Sequence, residues 1–337
     1  MHIITRTSDA VEPQDWRQIL AESYRDLDKL LEFLQIDLDQ RHNAEHASKD
    51  FSLLVPSPYA DLIEQGNPND PLLLQVLPQP AELHNPPGYV TDPLAEKHAN
   101  IQQGIIHKYH GRVLLLAASG CAVNCRYCFR RHFPYQENRV SRQQWQQTLE
   151  YVAADSTIEE VILSGGDPLM LQDHHLSELI NQIEAIPHVQ RLRIHTRLPV
   201  VIPQRITPEL CHRLKRSRLF TSCVLHINHP NELSALHRRA YQALRDANVT
   251  LLNQAVLLRH VNDRLSVLSE LSKQLFEFGI LPYYLHLLDP VKGASHFDIP
   301  EQEAVALHQQ LMCELPGYLV PKLVREEGGK AHKTAII

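Results

Sequence analysis

Short apolar runs alternate with helix-like segments along the chain from about residue 107 onward. The apolar runs, which predict strands, are Val113–Ala118, Val161–Leu163, Leu192–Ile194, Val224–Ile227, Leu251–Leu258 and Tyr283–Leu288. The segments that separate or follow them, which predict helices, are Arg142–Ala154, Leu176–Ile186, Pro208–Leu214, Glu232–Ala247, Arg264–Phe278 and Glu301–Cys313. Strands that alternate with helices predict an α/β fold of βαβ units around a parallel sheet. Six such units fit an open or partial (β/α) barrel better than a closed barrel of eight.

Residues 1–106 follow a different pattern, which predicts a mostly helical, proline-rich cap over that barrel. Apolar residues three and four positions apart predict an amphipathic helix over Trp16–Ile36. The stretch Pro56–Pro93 is rich in proline, which predicts extended connections and short helices. A separate binding module is the alternative to a cap. The barrel is predicted over residues 107–320, and residues 321–337 form a short C-terminal segment.

A polar, charged or thiol side chain that could take part in binding or catalysis follows each apolar run or lies within it. These residues are Cys121, Ser164, Asp167, His195, Arg197, His226, Asn228, Asn253, Gln254 and Asp289. In barrels of this type the active site gathers at the C-terminal ends of the strands. Because such residues accompany all six runs in succession, we predict one shared pocket.

Composition narrows the class of function. The chain has 33 Lys and Arg against 39 Asp and Glu, which gives a formal net charge of −6. This balance argues against broad electrostatic binding of nucleic acid, and no apolar run approaches the roughly 18 residues that a membrane helix needs. The N-terminus lacks the apolar core of a signal peptide. We therefore predict a cytoplasmic protein with neither nucleic acid nor membrane as a partner.

Three cysteines fall within eight residues, in the pattern Cys-x3-Cys-x2-Cys at Cys121, Cys125 and Cys128. In a reducing compartment clustered thiols are more often metal ligands or catalytic groups than disulfides. Three thiolates at this spacing can hold one [4Fe–4S] cluster and leave one iron open to a substrate or cofactor. Zinc is the alternative metal, with His132 as a fourth ligand. The remaining alternative is three buried cysteines that bind no metal. The cysteines without ligand spacing are predicted to pack: Cys211, Cys223 and Cys313.

A three-cysteine loop after a first barrel strand, with an aromatic residue beside its last cysteine, resembles the radical S-adenosylmethionine (SAM) superfamily. The resemblance implies a partial (β/α)6 radical SAM barrel whose open iron binds the amino and carboxylate groups of S-adenosyl-L-methionine. The turn formed by Ser164, Gly165, Gly166 and Asp167 resembles the superfamily's segment for the methionine amino group, and glycines there let the backbone approach a ligand closely.

From about His107 to its end, the chain resembles lysine 2,3-aminomutase and its relatives. The matching stretches are Arg112–Leu116, Cys121–Arg131, Ile162–Leu169, His195–Pro199, His226–Glu232, Asn253–Arg259, Pro282–Tyr284, Asp289, Ser295–Phe297 and Pro316–Tyr318. The resemblance implies an isomerase that moves the amino group of L-lysine from Cα to Cβ and uses pyridoxal 5′-phosphate (PLP). It also implies a reductase or flavodoxin-type electron donor. His226 and Gln254 match family residues near S-adenosylmethionine.

The same resemblance assigns the PLP site. Alignment from the Pro316–Pro321 anchor places the family's catalytic PLP lysine at Lys333, whereas a gap in the short glycine run would move that role to Lys330. Arg112 matches a residue that holds the PLP phosphate. Lys108 stands where the family has a second arginine. The lysine keeps the positive charge but lacks the planar guanidinium that can make two parallel hydrogen bonds. The alternative is that Lys108 is an exposed lysine without a role in the site.

Substrate residues are implied in the same way. Arg130 resembles the arginine that grips the substrate carboxylate. Asp289 matches a carboxylate that binds the distal ammonium of lysine, and Glu326 stands where lysine-specific members carry a second, aspartate, ligand; a surface salt bridge is its alternative. His286 replaces a family tyrosine near PLP, which leaves its role open.

The departures at Lys108 and Glu326, together with an end at Ile337 that lacks the family's zinc-binding tail, resemble a short branch of the family. That branch makes (R)-β-lysine, which a ligase related to lysyl-tRNA synthetases attaches to elongation factor P. Three alternatives stay open. They are a catabolic lysine aminomutase, an aminomutase for another amino acid, and a zinc-binding interaction protein.

Overall fold

The computed structural model describes residues 15–37, 47–96, 100–102, 104–133 and 142–337. Within these residues one sheet of ten strands forms the centre of the molecule, and neighbouring strands follow chain order. The strands are β1 (Asn100–Gln102), β2 (Ile105–Tyr109), β3 (Arg112–Ala118), β4 (Glu160–Gly165), β5 (Arg191–Thr196), β6 (Phe220–Leu225), β7 (Thr250–Val256), β8 (Leu281–His286), β9 (Lys322–Arg325) and β10 (Thr334–Ala335).

Strands β3 to β9 run parallel, whereas β1, β2 and β10 pair antiparallel at the two edges. All six residues of β4 are buried, as expected of a parallel strand covered on both faces. Each predicted apolar run overlaps a parallel strand, so the prediction of an α/β partial barrel is confirmed. One further parallel strand, β9, comes from the C-terminal segment and extends the barrel beyond the six predicted units.

Helices cover the outside of the barrel at the predicted places. They are α5 (Arg142–Ala154), α6 (Asp173–Glu184), α8 (Pro208–Lys215), α9 (Ala235–Asp246), α10 (Leu265–Glu277) and α11 (Glu301–Glu314). Shorter α-helices are α1 (Trp16–Ala21), α2 (Leu27–Phe33), α3 (Ser57–Ala60), α4 (Pro71–Leu74) and α7 (Leu198–Val201). The N-terminal residues that argued against a signal peptide lie outside the described ranges.

The predicted single helix over Trp16–Ile36 is wrong, because two helices, α1 and α2, occupy that stretch. Tyr24 interrupts the helical pattern by pairing its main chain with Val55, through N–O distances of 2.8 and 3.0 Å. The Asp26 side chain then starts α2 by accepting from the backbone N–H of Asp28 at 2.9 Å. A tertiary contact thus outweighs the local periodicity.

The described residues of the N-terminal region, called the cap below, share a core with the barrel. One cluster of buried apolar side chains contains cap residues such as Leu30 and Tyr59 together with barrel residues such as Leu163 and Ile194. Arg126 joins the two parts, because its guanidinium, fully buried, pairs with Glu82 of the cap at 2.5 Å. The cysteine-rich loop that contains Arg126 is therefore held between cap and barrel.

Candidate active site

A cavity of about 540 Å³ lies at the carboxyl ends of the parallel strands. Every residue assigned to the site from the sequence lines it. They are Lys108, Arg112, Cys121, Cys125, Cys128, Arg130, Ser164, Gly165, Gly166, Asp167, His226, Gln254, Asp289, Glu326 and Lys333. Lys330, the alternative PLP lysine, is not among the lining residues. Eight of the ten strand-end residues line the cavity, whereas Asn228 and Asn253 are buried and do not. The shared pocket expected from the strand ends is therefore present without those two residues.

The three cysteines of the loop carry free thiols and are partly accessible. Burial raises the pKa of Cys128 to about 11 and that of Cys121 well above its usual value, and the neighbouring thiols add to both shifts. Such thiols hold their protons near neutral pH unless a metal displaces them. His132, the fourth ligand in the zinc alternative, instead points its Nε2 at the Lys292 carbonyl, 3.1 Å away.

The donor set fits an iron–sulfur cluster. Three thiols on one loop are the ligand type that a [4Fe–4S] cluster uses, each on a different iron. Within the described ranges, no group of three or more His, Cys, Asp or Glu side chains is placed to hold a single metal ion. The residues that would hold the cluster are Cys121, Cys125 and Cys128.

The glycine turn after β4 supports the cysteine loop through its backbone. A Cβ on Gly166 would lie 2.3 Å from the Gly120 carbonyl oxygen, and one on Gly165, whose φ is +113°, would lie 2.6 Å from that of Ala118. Gly166 also donates its N–H to the Ala118 carbonyl at 2.8 Å, and Asp167 donates to Gly120 at 2.8 Å. Only glycine permits this approach, which fixes the segment just before Cys121.

The carboxylate of Asp167 is hydrogen-bonded to other groups of the protein rather than exposed. Its side chain is buried and accepts from Thr196 Oγ1 at 2.6 Å and from the backbone N–H groups of Arg197 and Leu198 at 2.7 and 2.8 Å. Burial raises its pKa despite these bonds. Asp167 therefore fastens the turn after β4 to the turn after β5.

Arg130 already holds a carboxylate that the sequence did not indicate. Glu96 accepts from its Nε at 2.7 Å and from its Nη2 at 2.8 Å, and both side chains are buried. The other branch of the guanidinium, Nη1, donates to Ser164 Oγ and to the Gly165 carbonyl, each at 3.2 Å. Glu96 lies 34 residues before Arg130, just after the proline-rich stretch, so no motif spacing marked it.

Alternating charges continue across the cavity to Lys333. Lys108 Nζ lies 3.2 Å from Glu96 and 3.1 Å from Glu326, and Lys333 Nζ lies 2.5 Å from the other oxygen of Glu326. Burial works to raise the pKa of Glu326, but the ammonium groups of Lys333 and Lys108 outweigh it and hold that pKa well below its usual value. Glu326 is therefore an anion inside the cavity, not a surface salt bridge.

The electrostatic environment of Asp289 is opposite to that of Glu326. Burial, with the charge of Glu326 adding to it, raises the pKa of Asp289 to about 7. A cation placed between Asp289 and Glu326 would favour the ionised form of both carboxylates. The pair is thus suited to bind an ammonium group.

Aromatic and imidazole groups complete the wall around Lys333. Its Nζ lies 5.7 Å from the ring centre of Tyr284, and the guanidinium of Arg112 lies 4.7 Å from that of Tyr109. His195 and His226 each bury an Nε2 that has no hydrogen-bond partner among the described residues. Burial lowers the pKa of His226 to about 3 and that of His195 well below its usual value, so both rings are neutral. Neutral nitrogens without partners in the cavity wall fit a bound polar cofactor.

Comparison with known proteins agrees with this arrangement. The model of the Radical SAM superfamily matches residues 116–265, a range that includes the three cysteines and the glycine turn. An L-lysine 2,3-aminomutase of Haemophilus influenzae is 54% identical over 334 residues, which cover 99% of this chain and 99% of that protein. One of Escherichia coli is 51% identical over 336 residues, covering 99% and 97%. One of Clostridium subterminale is 34% identical over 324 residues, covering 96% and 78%.

Proposed function

The chain belongs to the lysine 2,3-aminomutase family of radical SAM enzymes, and we propose that it is an isomerase that converts L-α-lysine into β-lysine by moving the amino group from Cα to Cβ. One observation carries this proposal. A single cavity brings the three cysteines that suit a [4Fe–4S] cluster together with Lys333 and the carboxylates of Asp289 and Glu326. A cluster site and an amine-binding site that share one wall suit a radical reaction on an amino acid.

Three cofactors belong to the family's chemistry, and residues of this chain suit each of them. Cys121, Cys125 and Cys128 would hold the cluster, and the turn at Ser164–Asp167 with His226 and Gln254 would hold S-adenosylmethionine. Lys333 would bind PLP, with its phosphate near Arg112 and Lys108. When bound, the cluster and S-adenosylmethionine supply a 5′-deoxyadenosyl radical, and PLP supplies the π-system that stabilises the radical on the substrate.

The protein's own contribution is to select and orient the substrate. Asp289 and Glu326 place two carboxylates where an ammonium at the far end of lysine can neutralise them. Arg130 supplies the guanidinium for the α-carboxylate, and Glu96, Ser164 and Gly165 fix the plane of that guanidinium. A second carboxylate on the substrate, as in glutamate, would face Asp289 and Glu326 and be repelled. Charge thus favours lysine over acidic amino acids.

We propose further that the product is (R)-β-lysine, made for attachment to elongation factor P by a ligase related to lysyl-tRNA synthetases. The support is that the two departures from lysine-specific relatives, Lys108 and Glu326, form a hydrogen bond of 3.1 Å with each other. A reductase or flavodoxin-type protein is the proposed electron donor.

The cytoplasm is the proposed location, because accessible thiols need a reducing compartment. In the described ranges no helix has the length and apolar character that crossing a bilayer requires.

An anaerobic assay tests the proposal. The protein is reconstituted with iron and sulfide, supplied with PLP, S-adenosylmethionine, a reductant and L-lysine, and its products are separated by chiral chromatography. We expect β-lysine, mostly the (R) form. The (S) form would instead indicate a catabolic aminomutase. Deoxyadenosine without β-lysine would contradict the substrate assignment, and zinc in a colourless protein would contradict the enzyme assignment altogether.

A further inference from the structure

Arg197 lies directly beneath the cysteine loop, with only 6% of its side chain exposed. Its Nη1 lies 2.9 Å from the sulfur of Cys125 and also contacts the phenol oxygen of Tyr127. Cys125 is the middle cysteine of the motif. A buried guanidinium therefore donates to one of the thiols that would bind the cluster.

The guanidinium is fixed from both sides of the molecule. Its Nη2 donates to Gln75 at 2.8 Å and lies 3.3 Å from the hydroxyl of Tyr59, both in the cap. On the barrel side it pairs with Glu232 at 3.2 Å. Gln75 in turn accepts from Asn228 at 2.9 Å, and donates to Glu232 at 3.2 Å. Because a planar fork held at so many points cannot turn away, Nη1 stays directed at the sulfur.

Hydrogen bonds and positive charge at a ligating sulfur are known controls on the potential of an iron–sulfur cluster. Reduction adds one electron to the cluster and no proton, so the negative charge on its sulfurs increases. A fixed donor at one sulfur consequently stabilises the reduced form more than the oxidised form.

We propose that Arg197 is a positioning residue that raises the midpoint potential of the cluster through its contact with Cys125. The electron comes from a low-potential one-electron donor, which is oxidised as the cluster is reduced. This role rests on the proposed function only in requiring that Cys125 ligate a [4Fe–4S] cluster. A higher midpoint potential makes electron transfer from the donor to the cluster less unfavourable, ahead of the cleavage of S-adenosylmethionine.

The test compares Arg197→Gln and Arg197→Lys with the unchanged protein in a redox titration followed by electron paramagnetic resonance, with dithionite as the reductant. For Arg197→Gln we expect the ratio of oxidised to reduced cluster at a fixed potential to rise about tenfold, equal to a midpoint about 59 mV lower for a one-electron couple. Arg197→Lys keeps the charge without the fork, so its midpoint should fall by less.

One variant serves as the control. Arg205 is also fully buried, but it contacts the Leu169 and Leu171 carbonyls and Asp173 and no cysteine of the loop, so Arg205→Gln should leave the midpoint unchanged. Thermal unfolding and iron content are measured for every variant.

An unchanged midpoint in an Arg197 variant that carries full iron would overturn the proposal. Failure of both Arg197 variants to take up a cluster would also overturn it, because Arg197 would then serve to build the loop. The unsubstituted protein could bind the cluster and differ from the Arg197 variants in midpoint as expected, yet form no β-lysine. That result would contradict the proposed function alone.

Discussion

Lys108 and Glu326 contact one another across the cavity, so a change in either alters the charge that the other meets. Glu326 also bonds to Lys333, and Lys108 also bonds to Glu96. The longer glutamate reaches both ammonium groups, and the shorter lysine replaces the arginine implied by the family resemblance. The two residues therefore form one ion pair inside the cavity.

A double-mutant cycle tests this pairing. Glu326→Asp shortens the side chain and should break one of its two ammonium contacts, which we expect to raise KM for lysine about tenfold. Adding Lys108→Arg restores the reach and should recover most of that loss. If steady-state kinetics show the two changes to be additive, the pairing is contradicted.

Asp289 should make lysine binding depend on pH. Its pKa of about 7 means that it carries a proton below that pH and attracts an ammonium weakly. Lysine affinity should therefore fall as the pH falls, and a single group with this pKa raises KM about tenfold from pH 8 to pH 6. The Asp289→Asn variant should bind lysine more weakly and lose this dependence, and an unchanged pH profile of KM in that variant would refute the assignment.

Lys333 should provide the covalent attachment for PLP. It lines the cavity and Lys330 does not, so Lys333→Ala should abolish the visible absorbance of the bound cofactor, whereas Lys330→Ala should retain it. Absorbance spectra of both variants after incubation with PLP make the comparison. The reverse pattern would move the role to Lys330.

At the scale of elements, the turn after β4 and the cysteine loop behave as one unit. Their backbones approach so closely at Gly166 and Gly120 that a side chain on the first has no room. Glycine spacing in the sequence indicated a tight turn. It did not show that the turn packs against the cysteine loop itself.

Gly166→Ala should displace the loop and its cysteines. The added carbon would lie 2.3 Å from the Gly120 carbonyl oxygen, so we expect a stability loss of about 1–3 kcal/mol and at least a halving of the iron bound after reconstitution. Gly120→Ala is the matched control, because its Cβ would meet nothing within 4 Å. Equal iron content in the two variants would show that the close approach has no role in cluster binding.

The elements that the sequence predicted well are those whose burial repeats regularly. The helix over Arg142–Ala154 has the predicted bounds, and every apolar run overlaps a strand. The errors arise where distant contacts decide the conformation. Tyr24 pairs with Val55 and divides a predicted helix, and β9 has only four residues, Lys322–Arg325, too few for a clear apolar run.

On the scale of the whole molecule, the cap and the barrel share one core, and buried charges join them around the cysteine loop. The residues that motifs identified, such as Cys125 and Lys333, all reach the cavity. Glu96 escaped prediction because it acts through a partner 34 residues away, and the role of Arg197 depends on cap residues that no local pattern connects to it. Motif spacing thus located groups that line the cavity, while tertiary packing determines what orients them.

The cluster site and the lysine site should act on the same lysine molecule, because both line one cavity. A labelling experiment tests this: lysine carrying deuterium at Cβ is supplied, and deuterium in recovered S-adenosylmethionine and deoxyadenosine is measured by mass spectrometry. We predict deuterium in the 5′ position, because the radical formed there takes its hydrogen from Cβ of the bound substrate. Formation of deoxyadenosine without deuterium would contradict the claim.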